Sequence, residues 1–236
     1  MRAVLLIAVN FVREQRWPIF VLLLWVLLLA FLGLVTDIRH SRDDLLFLFK
    51  QVVAYVLVFS IFFGGSAIYN ERRSRRILAV LAKAVGRSQY LAGLILGVTF
   101  ASVIYCFSLG LTGSWTLGQA GFPVGRVWVF MVALIAACTL AGTIALTFST
   151  FLNPFFAAGA TAAVLALPAL AAHAIAAGWA YLIPVYPIAV ILMESSFEKA
   201  GVVPWFLVLW AVLETAMFWG LAARIFSRVD VVVAVD

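Results

Sequence analysis

The chain predicts an all-α integral membrane protein, and three observations carry that prediction. Its side chains are 66% hydrophobic and only 11% charged, with a mean hydropathy of +1.16, so there are too few polar groups to cover a soluble globule. The apolar residues come in runs on the order of 20, the length that crosses about 30 Å of hydrocarbon as a helix. The charged residues gather between those runs. A length of 236 residues leaves room for about six such spans and short connections, so residues 1–236 read as a single transmembrane domain.

Residues 1–17 predict an interfacial helix. Arg2, Arg13 and Arg16 fall on one helical face and Val4, Ile7 and Phe11 on another, the pattern of a helix lying on a membrane surface. The apolar run 3–9 is short and is followed by Asn10, Arg13, Glu14 and Arg16, so it is not expected to be a signal peptide. The first span, 18–35, opens with Pro18 where a missing N–H costs nothing and carries Trp17 at its interface. Residues 36–50 read as a mixed-charge loop, and 51–69 as the second span.

The stretch 71–93, ERRSRRILAVLAKAVGRSQYLAG, holds six of the sixteen Lys and Arg residues: Arg72, Arg73, Arg75, Arg76, Lys83 and Arg87. Wound as a helix, it places Ser74, Ile77, Leu78, Leu81, Val85 and Ser88 on one arc of roughly 100° and the basic side chains opposite, with Val80 alone breaking the separation. It predicts an amphipathic helix hung between spans two and three.

The third span is expected at 90–112, followed by a loop marked by Gly113, Ser114, Gly118, Gly121, Pro123 and Gly125. From residue 127 to 193 no acidic or basic residue occurs apart from His173, so turn chemistry divides the segment: Asn153-Pro154 separates a fourth span, 127–150, from a fifth, 155–177. Both are rich in Ala and Gly, which suits close helix packing in lipid. Residues 178–193, with Pro184 and Pro187, read as an outer re-entrant or interfacial element before the sixth span at 203–223.

With six spans, eleven basic residues fall on the side of the termini (Arg2, Arg13, Arg16, the six of the basic helix, Arg224 and Arg228). Five fall on the other: Arg39, Arg42, Lys50, Arg126 and Lys199. The asymmetry predicts cytoplasmic termini and a cytoplasmic basic helix in the inner membrane. The net charge of +6 is then a matter of lipid headgroups rather than nucleic acid.

Several chemistries are excluded. The three lysines, Lys50, Lys83 and Lys199, follow Phe, Ala and Glu, so no Gly-Lys-Ser/Thr phosphate cradle exists. Ser66 and His173 fall at opposite membrane faces, and His40 and His173 cannot make a His-x-x-x-His zinc motif. Cys106 and Cys138 make no metal or disulfide pattern. The chain is therefore not expected to be an enzyme. Glu214, near the middle of the last span, is a carboxylate in an expensive place; it reads either as a lining residue of a substrate path or as a tie between two helices.

The stretch after span two resembles the corresponding one in permease subunits of ABC exporters of the type-2 family, which reads Glu, Gly-Thr-Leu, a short apolar helix, Pro-Val-x-Arg and aromatic-Leu-x-Gly-Lys. Glu71, Ile77-Leu78, Leu81, Val85, Arg87, Tyr90-Leu91 and Gly93 stand in those places, while Arg75-Arg76, Ala84 and Leu94 depart from them. The resemblance implies a coupling helix that docks on a separate ATPase, with Glu71, Arg72, Arg73, Arg75, Arg76, Ile77, Leu78, Leu81 and Arg87 at the contact. It also implies a dimer of permease subunits, identical or related, an outer gate at 178–199, and ATP and magnesium bound by the partner and not by this chain. Two other readings stay open: a non-transporting scaffold whose basic helix adheres to anionic lipid, and an ion-coupled carrier using Glu214.

Overall fold

The computed structural model describes residues 2–35, 42–73, 85–119, 121–194 and 205–228. Among them every regular element is helical: α1 (Arg2–Glu14), α2 (Arg16–Val35), α3 (Arg42–Arg73), α4 (Arg87–Gln119), α5 (Val124–Ser149), α6 (Pro154–Ala174), a 3₁₀ turn (Ala177–Leu182), a π-helical turn (Pro187–Leu192) and α7 (Trp205–Arg228). Five of these, α3 to α7, are long and apolar enough to cross a membrane, as a multi-pass membrane protein requires. Helix α2 has 20 residues, or about 30 Å at 1.5 Å per residue.

Helices α1 and α2 form one bent rod. The hydrogen-bond ladder runs on through the bend, from Gln15 N to Phe11 O and from Ile19 N to Gln15 O, both 3.0 Å. Pro18, in the first turn of α2, has no N–H for the Glu14 carbonyl. The stripe carrying Ile7 and Phe11, assigned to the lipid surface on sequence, lies on α4. A Cβ on Gly93 would stand 2.8 Å from Ile7 Cβ, and one on Gly97 2.7 Å from Phe11 Cδ1. Gly93 and Gly97 form a small-xxx-small pair that lets the backbones approach, and Ala8 and Phe11 are buried there. Leu5, Leu6 and Val9 are the apolar residues that α1 leaves exposed.

Helix α5 is the centre of the bundle. Its buried face runs nearly all round, from Val127 to Ser149, and α3, α4, α6 and α7 pack on it. The closest crossing is between Gly64 of α3 and the carbonyl of Gly142, where any Cβ on Gly64 would collide with backbone. A Cβ on Gly142 would meet Val98 Cγ1 of α4 at 2.5 Å, so three helices converge on one glycine. The Gly content of the fourth span thus serves close packing. In α6 only Ala157, Ala158, Thr161 and Pro168 are buried, with Val164 and Leu165 partly covered against the core.

Two boundaries differ from the sequence reading. Helix α3 begins at Arg42 rather than 51, because Leu46, Phe49, Val53 and Val56 continue one buried stripe at helical spacing; Phe49 packs on Phe130 of α5 with ring centroids 6.0 Å apart. Helix α4 continues through Gly113 and Ser114 to Gln119. A Cβ on Gly113 would stand 3.0 Å from Phe49 Cε2, so this glycine marks a close crossing rather than a turn. The turn is at Gly121, whose φ of 80° favours a residue without a Cβ. The Asn153-Pro154 break is seen as expected: Asn153 Oδ1 accepts from Phe156 N at 3.1 Å and Pro154 opens α6. Residues 178–193 form the 3₁₀ and π-helical turns, not a span, with Val185, Ile188 and Met193 buried.

Candidate functional site

Two groups of polar contacts, one at each end, tie the bundle together. At one, Lys50 of α3 pairs with Glu194, which follows the π-helical turn, at 3.3 Å. At the other, the end of α3, the start of α4 and the end of α7 meet in a cluster built from Glu71, Arg87, Ser88, Tyr90, Trp219, Phe226 and Ser227.

Arg87 is the centre of that cluster. Its Nη1 donates to the carbonyls of Phe226 at 2.7 Å and Ser227 at 3.1 Å. These belong to the last turn of α7, where carbonyls have no intrahelical donor and the helix dipole is negative. The guanidinium also stands 5.7 Å from the centroid of the Phe226 ring, adding a cation–π contact. The Tyr90 ring also stacks on Phe226, with centroids 6.4 Å apart and planes at 21°. Trp219, two turns back along α7, donates from Nε1 to Ser88 O at 3.2 Å. The first turn of α4 is therefore held to α7 at two levels.

Glu71 joins α3 to the same assembly. It is 5% exposed, and the Tyr90 hydroxyl faces its carboxyl, a polar neighbour in a buried setting. Glu71 and Arg87 thus bracket residues 72–86, one fixed against α4 and the other against α7. Of the residues assigned to an ATPase contact, Arg72 and Arg73 lie in the last turn of α3. Arg75, Arg76, Ile77, Leu78 and Leu81 lie outside the described residues.

Glu214 is not part of the cluster but shares its helix. It lies twelve residues, or about 18 Å, from Phe226, on the buried stripe with Leu207, Ala211, Ala222 and Phe226. It is 7% exposed. Trp210, one turn earlier, supplies a side-chain hydrogen bond, while Oε2 has no protein partner. The register with α5 is given by Thr147, whose Oγ1 approaches Phe218 O at 3.4 Å. One turn earlier on α5 comes Thr143, a fully buried residue whose hydroxyl donates to Thr139 O at 2.7 Å.

Ser66 and His173 are apart. Gly65, beside Ser66, packs against the first turn of α6, where its Cβ would be 3.4 Å from Pro154 O; His173 is in the last turn of the same helix, about 28 Å away by helical rise. His173 Nδ1 is 2.8 Å from Ala169 O, and its ring lies against Tyr186. The two cysteines, which made no pattern in the sequence, come into side-chain hydrogen-bonding contact between α4 and α5 and are fully buried.

Sequence reasoning included Tyr90 in its motif but missed Phe226, Ser227 and Trp219. The one available signal was that Phe226 lies four residues after Ala222, on the same helical stripe as Leu207 and Ala211 of α7. Compared with family models, curated proteins and solved structures, the chain matches none.

Proposed function

We propose that the chain is the membrane-spanning permease subunit of an ATP-driven exporter, resembling the type-2 ABC family, with α2 as a sixth span and both termini in the cytoplasm of the inner membrane. The observation that carries the reading is the Arg87 clamp. Residues 72–86 leave α3 beside a buried carboxylate and enter α4 at a guanidinium bound to the end of α7, so a push on this segment reaches three helices at once. A segment that only adheres to lipid has no need of such a tie. The basic residues from Arg72 to Lys83 suit an acidic rim on a cytosolic ATPase, and that ATPase would supply the bound ATP and magnesium.

In this reading α1 lies at the cytoplasmic interface with Leu5, Leu6 and Val9 in lipid, and the turns between Ala177 and Leu192 form part of an outer gate. Two copies, identical or related, would make the pathway. The test is co-purification from membranes with the product of a neighbouring ATPase coding sequence. A stoichiometric ATPase, lost on Leu81→Asp, supports the permease; a chain that purifies without one and binds anionic vesicles through residues 72–86 is a scaffold.

A second reading rests on Glu214. A carboxyl at mid-span with one oxygen unpartnered in the protein suits a proton or cation site, as an ion-coupled carrier requires. Uptake by the chain alone in liposomes, driven by a pH gradient without ATP, would favour it.

A further inference from the structure

Cys106 of α4 and Cys138 of α5 are the two cysteines of the chain. Both are fully buried, and their thiols are in side-chain hydrogen-bonding contact. The helices that carry them run antiparallel in a register fixed on both sides of the pair. On one side a Cβ on Gly110 would stand 2.9 Å from Trp128 Cζ3. On the other the Thr99 and Thr139 hydroxyls approach to 3.4 Å. A third buried polar side chain adjoins them. The Tyr105 ring stacks on Phe63 of α3, with centroids 5.8 Å apart and planes at 16°. Its hydroxyl, on a residue only 1% exposed, has no hydrogen-bond partner among the described residues and lies within electrostatic reach of Cys138. The three helices bring no ion of their own: acidic and basic side chains are absent from α3 between Lys50 and Glu71, from α4 after Arg87 and from α5 after Arg126.

We propose that Cys106 and Cys138 form a two-coordinate site for a soft monovalent ion, cuprous copper. Thiolate sulfur selects such an ion, and a closed-shell monovalent centre is satisfied by two sulfurs on opposite sides. Zinc does not fit. It takes four ligands, and the described residues hold no group of three or more His, Cys, Asp or Glu. Charge agrees with this choice. Binding sends one thiol proton to solvent and forms two copper–sulfur bonds, so the thiolate–copper–thiol unit is neutral and carries no net charge into a dry interior. The same step gives Tyr105 a partner. A neutral thiol is a weak acceptor, whereas a thiolate beside the hydroxyl accepts a charge-assisted hydrogen bond. The orphaned hydroxyl is thus satisfied when the ion is bound. Such an ion ties α4 to α5 in the middle of the bundle, whether or not the chain transports anything.

The full chain purified in detergent gives the test, with copper kept cuprous by ascorbate and buffered by the coloured chelator bicinchoninate. It should withdraw one copper per chain, and X-ray absorption should show two sulfur neighbours and no nitrogen. Cys106→Ser and Cys138→Ser should each lose the copper. Tyr105→Phe should bind the same amount about tenfold less tightly, an effect that a purely structural tyrosine would not have. If the serine variants do not fold, the unaltered chain still decides, because its thermal midpoint should rise with cuprous copper and stay unchanged with zinc. Copper that stays on the chelator, copper held by three or more donors, or uptake that survives replacement of both cysteines overturns the proposal.

Discussion

Arg87 at the start of α4 donates to the Phe226 carbonyl at the end of α7, 2.7 Å away and 139 residues along the chain. The last helix therefore cannot shift at that end without drawing on the point where the basic segment re-enters the bundle. Since α7 also carries Glu214, about 18 Å deeper, the clamp links an exposed end of the molecule to a carboxyl at mid-span.

Removing the clamp should cost stability as well as coupling. Arg87→Ala loses two charge-assisted hydrogen bonds to carbonyls that have no other helical donor, and such bonds contribute about 1.5–3 kcal/mol each when buried. Arg87 is only part-buried, so about 2 kcal/mol in total is expected, seen as a fall of a few degrees in the thermal midpoint in detergent. Arg87→Lys keeps the charge but not the planar guanidinium whose Nη1 donates to both carbonyls, and should fall between wild type and the alanine variant. An unchanged midpoint in the alanine variant would mean that the contact contributes nothing.

The crossing of α3 and α5 predicts a sharp contrast between two glycines. Gly64→Ala drives a Cβ into the Gly142 carbonyl, whereas Gly159 has open space beside it. The first should cost more than about 3 kcal/mol and destroy the monodisperse detergent species, while Gly159→Ala should be neutral or slightly stabilising. Size-exclusion profiles of the two variants check the packing at the centre of the bundle.

The buried thiols test the α4–α5 pairing. Cys106 and Cys138 touch, so iodine, which partitions into the bilayer and takes two electrons from a thiol pair, should join them. A protease site inserted between α4 and α5 would then cut the chain into fragments that stay together until reduced. Fragments that separate without reductant would show the helices to be misaligned.

Glu214 separates function from structure by the sign of its effect on stability. A buried carboxyl oxygen without a partner costs about 1–3 kcal/mol, so Glu214→Leu should raise the thermal midpoint while abolishing transport. Glu214→Gln should leave folding intact and lower transport. A fall in stability with leucine would instead identify the residue as a tie between α7 and α5.

The sequence made some features of this molecule legible and hid others for physical reasons. Hydropathy locates the spans because the bilayer demands continuous apolar runs, and Asn153-Pro154 is legible because capping is local. Gly113 misled because a glycine that admits a neighbouring ring looks, in one dimension, like a glycine that turns the chain. The stripe of Ile7 and Phe11 suits lipid and helix equally, and only the spacing of Gly93 and Gly97 distinguishes them. In the cluster, Glu71 and Arg87 could be singled out as charges beside spans. Their partners Tyr90 and Phe226 could not be assigned, since an aromatic residue in an apolar run carries no mark of what it stacks on. The cysteine pair was hidden for the same reason, being 32 residues apart on two helices.

The most direct measurement concerns the side of the membrane on which residues 72–86 lie. With Cys106 and Cys138 replaced by alanine, Ser74→Cys should react with a membrane-impermeant maleimide in inverted vesicles and not in right-side-out ones, and addition of the partner ATPase should protect it. Labelling from the outer face of intact cells would contradict the account, because no cytosolic ATPase could then reach the segment that Arg87 ties to α7.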